Sequence, residues 1–422
     1  MKKPGRFEID NAGHLFAFVS TAQRRPGFRF IAMLKEEVAP AILSRALDIT
    51  IRRFPFYHVD LKNDFFWHYL AASHPSVTLG RDDLNCFQFL TPRGPLLHIG
   101  YDGRKINLEM AHVLSDGFGA VTFLKTLLVQ YFRLTGIDVP FTHGALDTAA
   151  APRPEEYEDG YKKTCRQAFA LPWRETRTFR PEGSVRKSKA VSVTTGVMKA
   201  EEVLKKARAR RASVTHYLGA ALVQSLDELQ RKSRPGRLMP VKISISADLR
   251  KFYPTRTLRN FSGFCNAGIF PAAGKYTFDE ILHEIRHQSK WMLTEKNLNA
   301  LISRNVGYES NLLLRALPLF LKKRLATLVL DCAGSRTASM DLTNMGSVEL
   351  PEAITDKVER FDTIGGNLHC YPIECGVISY RDILSVSFSR AIDRPFVENR
   401  FFEILEADGV AVQPERCGHS GS

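Results

Sequence analysis

Apolar and polar positions follow two different periods along this chain, and the changes of period mark out its elements. The run FRFIAML from Phe28 to Leu34 reads as a strand. Pro40 then stands where a first helical turn tolerates it, and Ile42, Leu43, Ala46, Leu47 and Ile51 recur at helical spacing until Pro55 ends the helix. Two aromatic-rich extended runs follow, FYHVDL and FFWHYL, and the polar break Lys62-Asn63-Asp64 between them predicts a hairpin. A second hairpin is predicted over Pro95 to Tyr101 and Lys105 to Met110, because Asp102-Gly103 supplies a glycine that accepts positive φ without steric cost. From Phe118 to Leu134 the stripe Phe118, Val121, Leu124, Leu128 and Phe132 predicts a helix that stops near Gly136.

Prolines 140, 152, 154, 172 and 181 interrupt every period between about Asp138 and Ser188, so this stretch reads as a connection that holds a domain boundary. Beyond it the alternation resumes with a strand from Ala190 to Val197, helices around Ala200 to Arg210 and Val214 to Arg231, and a strand from Val241 to Ser246. Strands are also predicted near Gly263 to Phe270, Ser339 to Leu342, Arg360 to Ile364, Gly376 to Tyr380 and Ile383 to Ser389, before a last helix from Pro395 to Ala407. Helices alternate with strands in both halves without a short-period repeat, which predicts an α/β fold in two lobes, residues 1–180 and 181–422.

With 422 residues, 44% hydrophobic and 25% charged, the chain has ample material for a buried core, which excludes a stapled mini-protein and a wholly disordered chain. The net charge of +14 invites an anionic partner. More than half of that excess falls between Arg153 and Arg211, where 16 basic residues face 8 acidic ones, as in a solvated linker followed by an exposed helix face. Neither aromatic interleaving nor a nucleic-acid module accompanies it, so no nucleic-acid partner is expected. Seven scattered cysteines fit a reducing compartment, and MKKPGRFEIDNAGHLF lacks the apolar core of a secretion signal, so a cytoplasmic location is expected. The most hydrophobic stretch, Leu312 to Val329, is broken by Arg315, Lys322, Lys323 and Arg324 and is too charged to span a bilayer. It is left between a helix packed in the core and a basic amphipathic segment in peripheral contact with a membrane surface.

Two constellations are candidates for chemistry. His283-Glu284-Ile285-Arg286-His287 matches the H-E-x-x-H zinc signature literally. Its helix, however, has the apolar stripe Phe278, Ile281, Leu282, Ile285 and Met292, which turns both histidines toward solvent, and the third ligand position of the longer pattern is not a histidine. The second constellation is His112-Val113-Leu114-Ser115-Asp116-Gly117, where a strand ends and a helix begins. A neutral imidazole held there can take a proton from an alcohol or amine as it attacks, without a covalent enzyme intermediate. Asp116 suits a helix cap or a buried pair with an arginine, and Gly117 admits a conformation or close approach that a side chain would block. Spacing alone equally fits a packed histidine followed by an ordinary cap.

The H-x-x-x-D-G pattern at such a junction resembles the chloramphenicol acetyltransferase-like superfamily, which includes condensation domains, plant-type acyltransferases and alcohol acetyltransferases. The resemblance covers most of the chain and is nearest to the alcohol acetyltransferase-like branch. It runs through FRFIAMLKEEV, ALDITIRRFPFYHVDL, FFWHYL, AHVLSDGFGAVTFLKTLL, SADLR, LTNMG, VISYRDILSVSFS and FFEILEADGV. It implies two similar lobes, each a mixed sheet with flanking helices, meeting at a central tunnel. It also implies His112 as general base, Asp116 as a structural residue paired with Arg250 of SADLR, and Gly117 as room for a thioester; Asn344 and Gly346 of LTNMG would line the tunnel. Condensation domains carry a second histidine just before the catalytic one, and here that position is Ala111.

The activity implied is transfer of an acyl group from an acyl-CoA, or from an acyl carrier protein, to an alcohol or amine acceptor. No metal and no permanently bound cofactor is required, and the basic excess around Arg186, Lys187 and Lys189 would attract the phosphates of coenzyme A, as any of the 59 cations could. The alternative is a catalytically inactive, condensation-like binding or assembly protein of a lipid or polyketide pathway.

Overall fold

The computed structural model describes residues 6–20, 26–72, 77–82, 94–166, 175–183, 191–329, 336–366 and 371–417. All eight residues of the strand Gly27–Leu34 are buried, which is why its sequence runs apolar rather than alternating. It lies between Val358–Gly365 and Lys105–Ala111, with Leu97–Asp102 and Val77–Arg81 completing a five-stranded mixed sheet in which only the last pair is parallel. The helices Pro40–Arg53 and Gly117–Leu134 pack together against this sheet. Leu43, Ala46, Leu47 and Ile51 are buried as the helical stripe predicts, and Pro40 occupies the first turn.

The second sheet has seven strands in the order Ser262–Ile269, Val241–Asp248, Met340–Val348, Ile373–Tyr380, Ile383–Arg390, Ser192–Lys199 and Gln413–Cys417. Its two parallel pairs lie on either side of Met340–Val348. Val214–Ser233, Phe278–Met292 and Phe396–Ala407 cover it, and Ala200–Ala209 flanks them. Each sheet carries its own apolar core, so the chain is a two-lobed α/β protein. Residues 358–365 cross from the second half of the chain to pair with Gly27–Leu34, so the first lobe's sheet is completed from far downstream.

Two elements depart from the sequence pattern. The first hairpin runs Val59–Asn63 and His68–Ala72, with Arg6–Phe7 added at its edge, and it turns at 64–67 rather than at Lys62-Asn63-Asp64. The Asp64 amide donates to Trp67 O at 2.8 Å, which leaves Phe65 and Phe66 exposed at the tip. The stretch from Leu312 splits at Pro318 into Leu312–Ala316 and Leu319–Val329, because proline cannot donate the bond that would continue the helix. Among the described residues no helix is long and apolar enough to cross a membrane.

Candidate active site

The strand Lys105–Ala111 delivers the chain to His112 from the middle of the first sheet. The His112 amide donates to Pro26 O at 3.0 Å, and Leu114 N closes the turn on Ala111 O at 2.9 Å. Asp116 then caps Gly117–Leu134 by accepting from Gly119 N at 3.4 Å. The imidazole lies between two phenyl rings. Phe16 stacks on it at 4.5 Å and 17°, and Phe28 meets it edge-on at 4.6 Å. The residue is half-buried, and its Nδ1 is out of solvent without a hydrogen-bond partner among the described residues. Burial pushes the imidazole down to about 4, against the opposing pull of the Asp116 carboxylate, the Asn260 side chain and the Ser115 backbone. The ring is therefore neutral near pH 7, the state a proton acceptor needs.

Arg250 and Asp116 meet as a bidentate pair. Arg250 Nη1 donates to Asp116 Oδ2 at 2.9 Å and Nη2 to Oδ1 at 3.2 Å, and the Phe261 amide adds a bond of 2.8 Å to Oδ2. The remaining Arg250 donors reach Thr257 O at 2.9 Å, Arg259 O at 2.5 Å and Asp248 Oδ1 at 3.0 Å. Burial disfavours the charged guanidinium, but Asp116 and Asp248 outweigh it and hold Arg250 above the ordinary arginine range. Arg250 follows the strand Val241–Asp248 of the second sheet, so this pair joins the two lobes beside His112. Phe118, predicted in the core stripe, instead lies exposed, with the Arg250 guanidinium 4.5 Å from its ring centre.

The LTNMG segment also arrives at this junction. The strand Met340–Val348 shifts register between Asn344 and Ser347, and Gly346 adopts φ +74° there. Asn344 Nδ2 donates to Thr215 Oγ1 at 2.9 Å and its Oδ1 accepts from Gly346 N at 2.9 Å, so both residues hold the bulge itself. The residue between them, Met345, comes within 2.6 Å of where a Gly117 Cβ would be. Gly117 thus faces a flexible thioether, whereas Gly119 is the more confined glycine: its Cβ would lie 2.1 Å from Leu258 O and 2.4 Å from Tyr57 Oη.

Several contributors were not singled out in the sequence. Asn260 Nδ2 bridges His112 O at 2.8 Å and Asp10 Oδ2 at 3.0 Å, and Asp10 Oδ1 caps the helix Asn11–Val19 through Gly13 N at 2.7 Å. Burial, partly offset by Arg259, pushes Asp10 up to about 7. Tyr57 Oη donates to Leu258 O at 2.7 Å, and Ser115 Oγ reaches the same carbonyl at 2.5 Å. A cap signal at Asp10 was available in the sequence, but the contacts with Asn260 and His112 join residues far apart in the chain.

The helix Asn11–Val19 separates His112 from two cavities. Its Phe16 faces the imidazole, while His14 and Phe18, on the opposite face, line spaces of about 490 and 530 Å³; His112 lines neither. The one that Phe18 lines is also lined by Lys323 and Arg324. In the helix Phe278–Met292 both His283 and His287 are exposed while Ile281, Leu282 and Ile285 are buried, as the stripe predicts. Arg186, Lys187 and Lys189 lie outside the described residues.

No family model matches the chain, and no curated protein does. Solved structures do. Polyketide synthase associated protein 5 from Mycobacterium tuberculosis superposes with a TM-score of 0.62 at 14% identity, over 96% of this chain and 98% of that one. Trichothecene 15-O-acetyltransferase from Fusarium sporotrichioides gives 0.61 at 11%, over 94% of each chain. The starter condensation domain of rhizomide synthetase, solved with C8-CoA, gives 0.58 at 12%, over 97% and 98%. The fold is that of the condensation and chloramphenicol acetyltransferase-like proteins. In this condensation-like fold the two lobes are built on the two large sheets, and Val358–Gly365, from beyond residue 180, belongs to the first of them.

Proposed function

We propose that this chain is an acyltransferase, moving an acyl group from an acyl-CoA thioester to an alcohol or amine with His112 as general base. The observation that carries this reading is a neutral imidazole at a strand end, whose turn is fixed by the Arg250–Asp116 pair in a condensation-like fold. His112 takes the acceptor proton as the acceptor oxygen or nitrogen attacks the thioester carbonyl. When the tetrahedral centre collapses, the imidazolium returns that proton to the departing thiolate, so charge and protons balance. Asp116 and Arg250 do not touch substrate; they position the turn. Asn344 and Gly346, by holding the bulge, present Met345 to the same space. A domain of this fold solved with C8-CoA supports a CoA donor, and a polyketide synthase associated protein of the same fold keeps an acyl carrier protein as the alternative donor.

A second reading, a catalytically inactive binding or assembly protein, draws support from Phe16, which lies flat on the imidazole. A mass-spectrometric screen of acyl-CoA donors against mixed alcohols and amines separates the two. Acylated product that disappears in His112→Phe supports the transferase, and product formed equally by the variant removes His112 from the chemistry.

A further inference from the structure

The helix Leu319–Val329 is inside out. At 100° per residue, Phe320, Arg324, Leu328, Leu321 and Leu325 fall on one face, and all five are exposed, whereas Lys322 points inward and is buried. The interior accommodates that ammonium by giving it carbonyls and aromatic faces: Lys322 Nζ donates to Phe66 O at 2.9 Å and Arg315 O at 3.1 Å, and lies 3.8 Å from the Trp67 ring centre. Burying a lysine while four large apolar side chains face solvent is the reverse of what a helix of a free-standing surface does.

The elements bonded to this helix are exposed and apolar as well. Leu312–Ala316 buries none of its residues, and Leu312 and Leu313 are 80% and 81% exposed. The hairpin tip is tied in by Leu319 N, which donates to Phe65 O at 2.9 Å, and so adds Phe65 and Phe66. The result is an exposed apolar ridge of a kind that marks an interaction surface.

Charge selects the occupant. Residues 311–329 carry Arg315, Lys322, Lys323 and Arg324 and no carboxylate. Among the described residues, none of Arg315, Lys323 and Arg324 forms an ion pair. Lys323 and Arg324 line the cleft of about 530 Å³ together with Phe18, Ser20, Thr327 and Leu328, so cations and apolar walls converge beside the ridge. Exposed leucines with unpaired cations among them suit a fluid boundary that adapts to side chains; a rigid protein partner would need a matching groove.

We propose that the hairpin tip at Phe65–Phe66 and the helices Leu312–Ala316 and Leu319–Val329 form a docking face for the surface of an anionic phospholipid membrane. The leucines enter the acyl boundary, and Arg315, Lys323 and Arg324 meet the headgroup phosphates. The proposal is independent of the acyl-transfer reading. It would, however, place the membrane one helix away from His112, because Phe18 lines the cleft and Phe16 stacks on the imidazole from the same helix.

The test is flotation of the purified full chain with vesicles of phosphatidylcholine alone or of phosphatidylcholine with phosphatidylglycerol. The chain floats with the mixed vesicles and only weakly with the neutral ones, and raising salt releases it. Leu321→Glu with Leu325→Glu lowers the bound fraction about tenfold with an unchanged melting temperature, since both side chains are exposed. Lys323→Gln with Arg324→Gln erases the preference for phosphatidylglycerol. Failure of the full chain to float, or equal flotation by the leucine variant, overturns the proposal. So does stoichiometric binding of a purified acidic carrier protein that the leucine variant abolishes while vesicles are ignored.

Discussion

Arg250 grips the Asp116 carboxylate with both terminal nitrogens, at 2.9 and 3.2 Å, across 134 positions of sequence. Both side chains are about 7% exposed; removing Arg250 leaves Asp116 buried without its cation, whereas Arg250 keeps Asp248 when Asp116 is neutralised. Arg250→Ala is expected to cost about 3–5 kcal/mol in urea-induced unfolding, and Asp116→Asn less. A loss below about 1 kcal/mol would show that the pair is not needed to join the lobes.

His112 and pH are linked with a definite sign. In the proposed reaction His112 must be neutral to act as base, and burial lowers the ring from 6.5 to about 4, so the acid limb of kcat/KM is expected near pH 4 rather than near 6.5. The same shift bears on folding. The unfolded chain protonates its histidine first, so the stability the neutral ring contributes is complete above pH 6.5 and is lost as pH falls toward 4. A pH–rate profile with its limb at 6.5 would show that the ring keeps its ordinary pKa or that another group titrates, and either contradicts the expected shift.

The two glycines of the turn should respond differently. Gly119→Ala forces a methyl against the Leu258 carbonyl, and a loss of about 1–3 kcal/mol is expected by thermal or urea unfolding. Gly117→Ala meets only the end of Met345, so folding is retained and the change is read as a rise in KM for the acyl donor. Equal unfolding midpoints for the two variants would contradict this geometry.

Asn260 offers a test of the clamp on helix Asn11–Val19. Asn260→Ala removes donors from His112 O and Asp10 Oδ2 together, with an expected cost of about 1–3 kcal/mol. Amide exchange should accelerate in residues 11–19 before it does in the central strands.

What the sequence made legible was whatever depended on neighbours in the chain. Gly27–Leu34, Pro40–Arg53 and Gly117–Leu134 follow from periodicity, a proline at a first turn and an aspartate cap. The Arg250 partnership came from resemblance, since nothing local distinguishes that arginine from a surface cation. Phe65 and Phe66 misled because aromatic residues favour strands, whereas here a turn carries them to the ridge that Leu319 secures. Phe118 misled because its first-turn position sets it over a guanidinium instead of the core. Phe16, Asn260 and the crossing of residues 358–365 depend on contacts over long sequence separations, for which a single sequence holds no periodic signal.

That crossing strand governs the order in which the molecule can be made. A nascent chain on the ribosome could form four strands of the first sheet early, but Gly27–Leu34 would keep one flank bare until Gly365 had emerged. Through most of synthesis that flank would be a template for any extended peptide nearby. A fragment cut near residue 180 would carry the same vulnerability permanently.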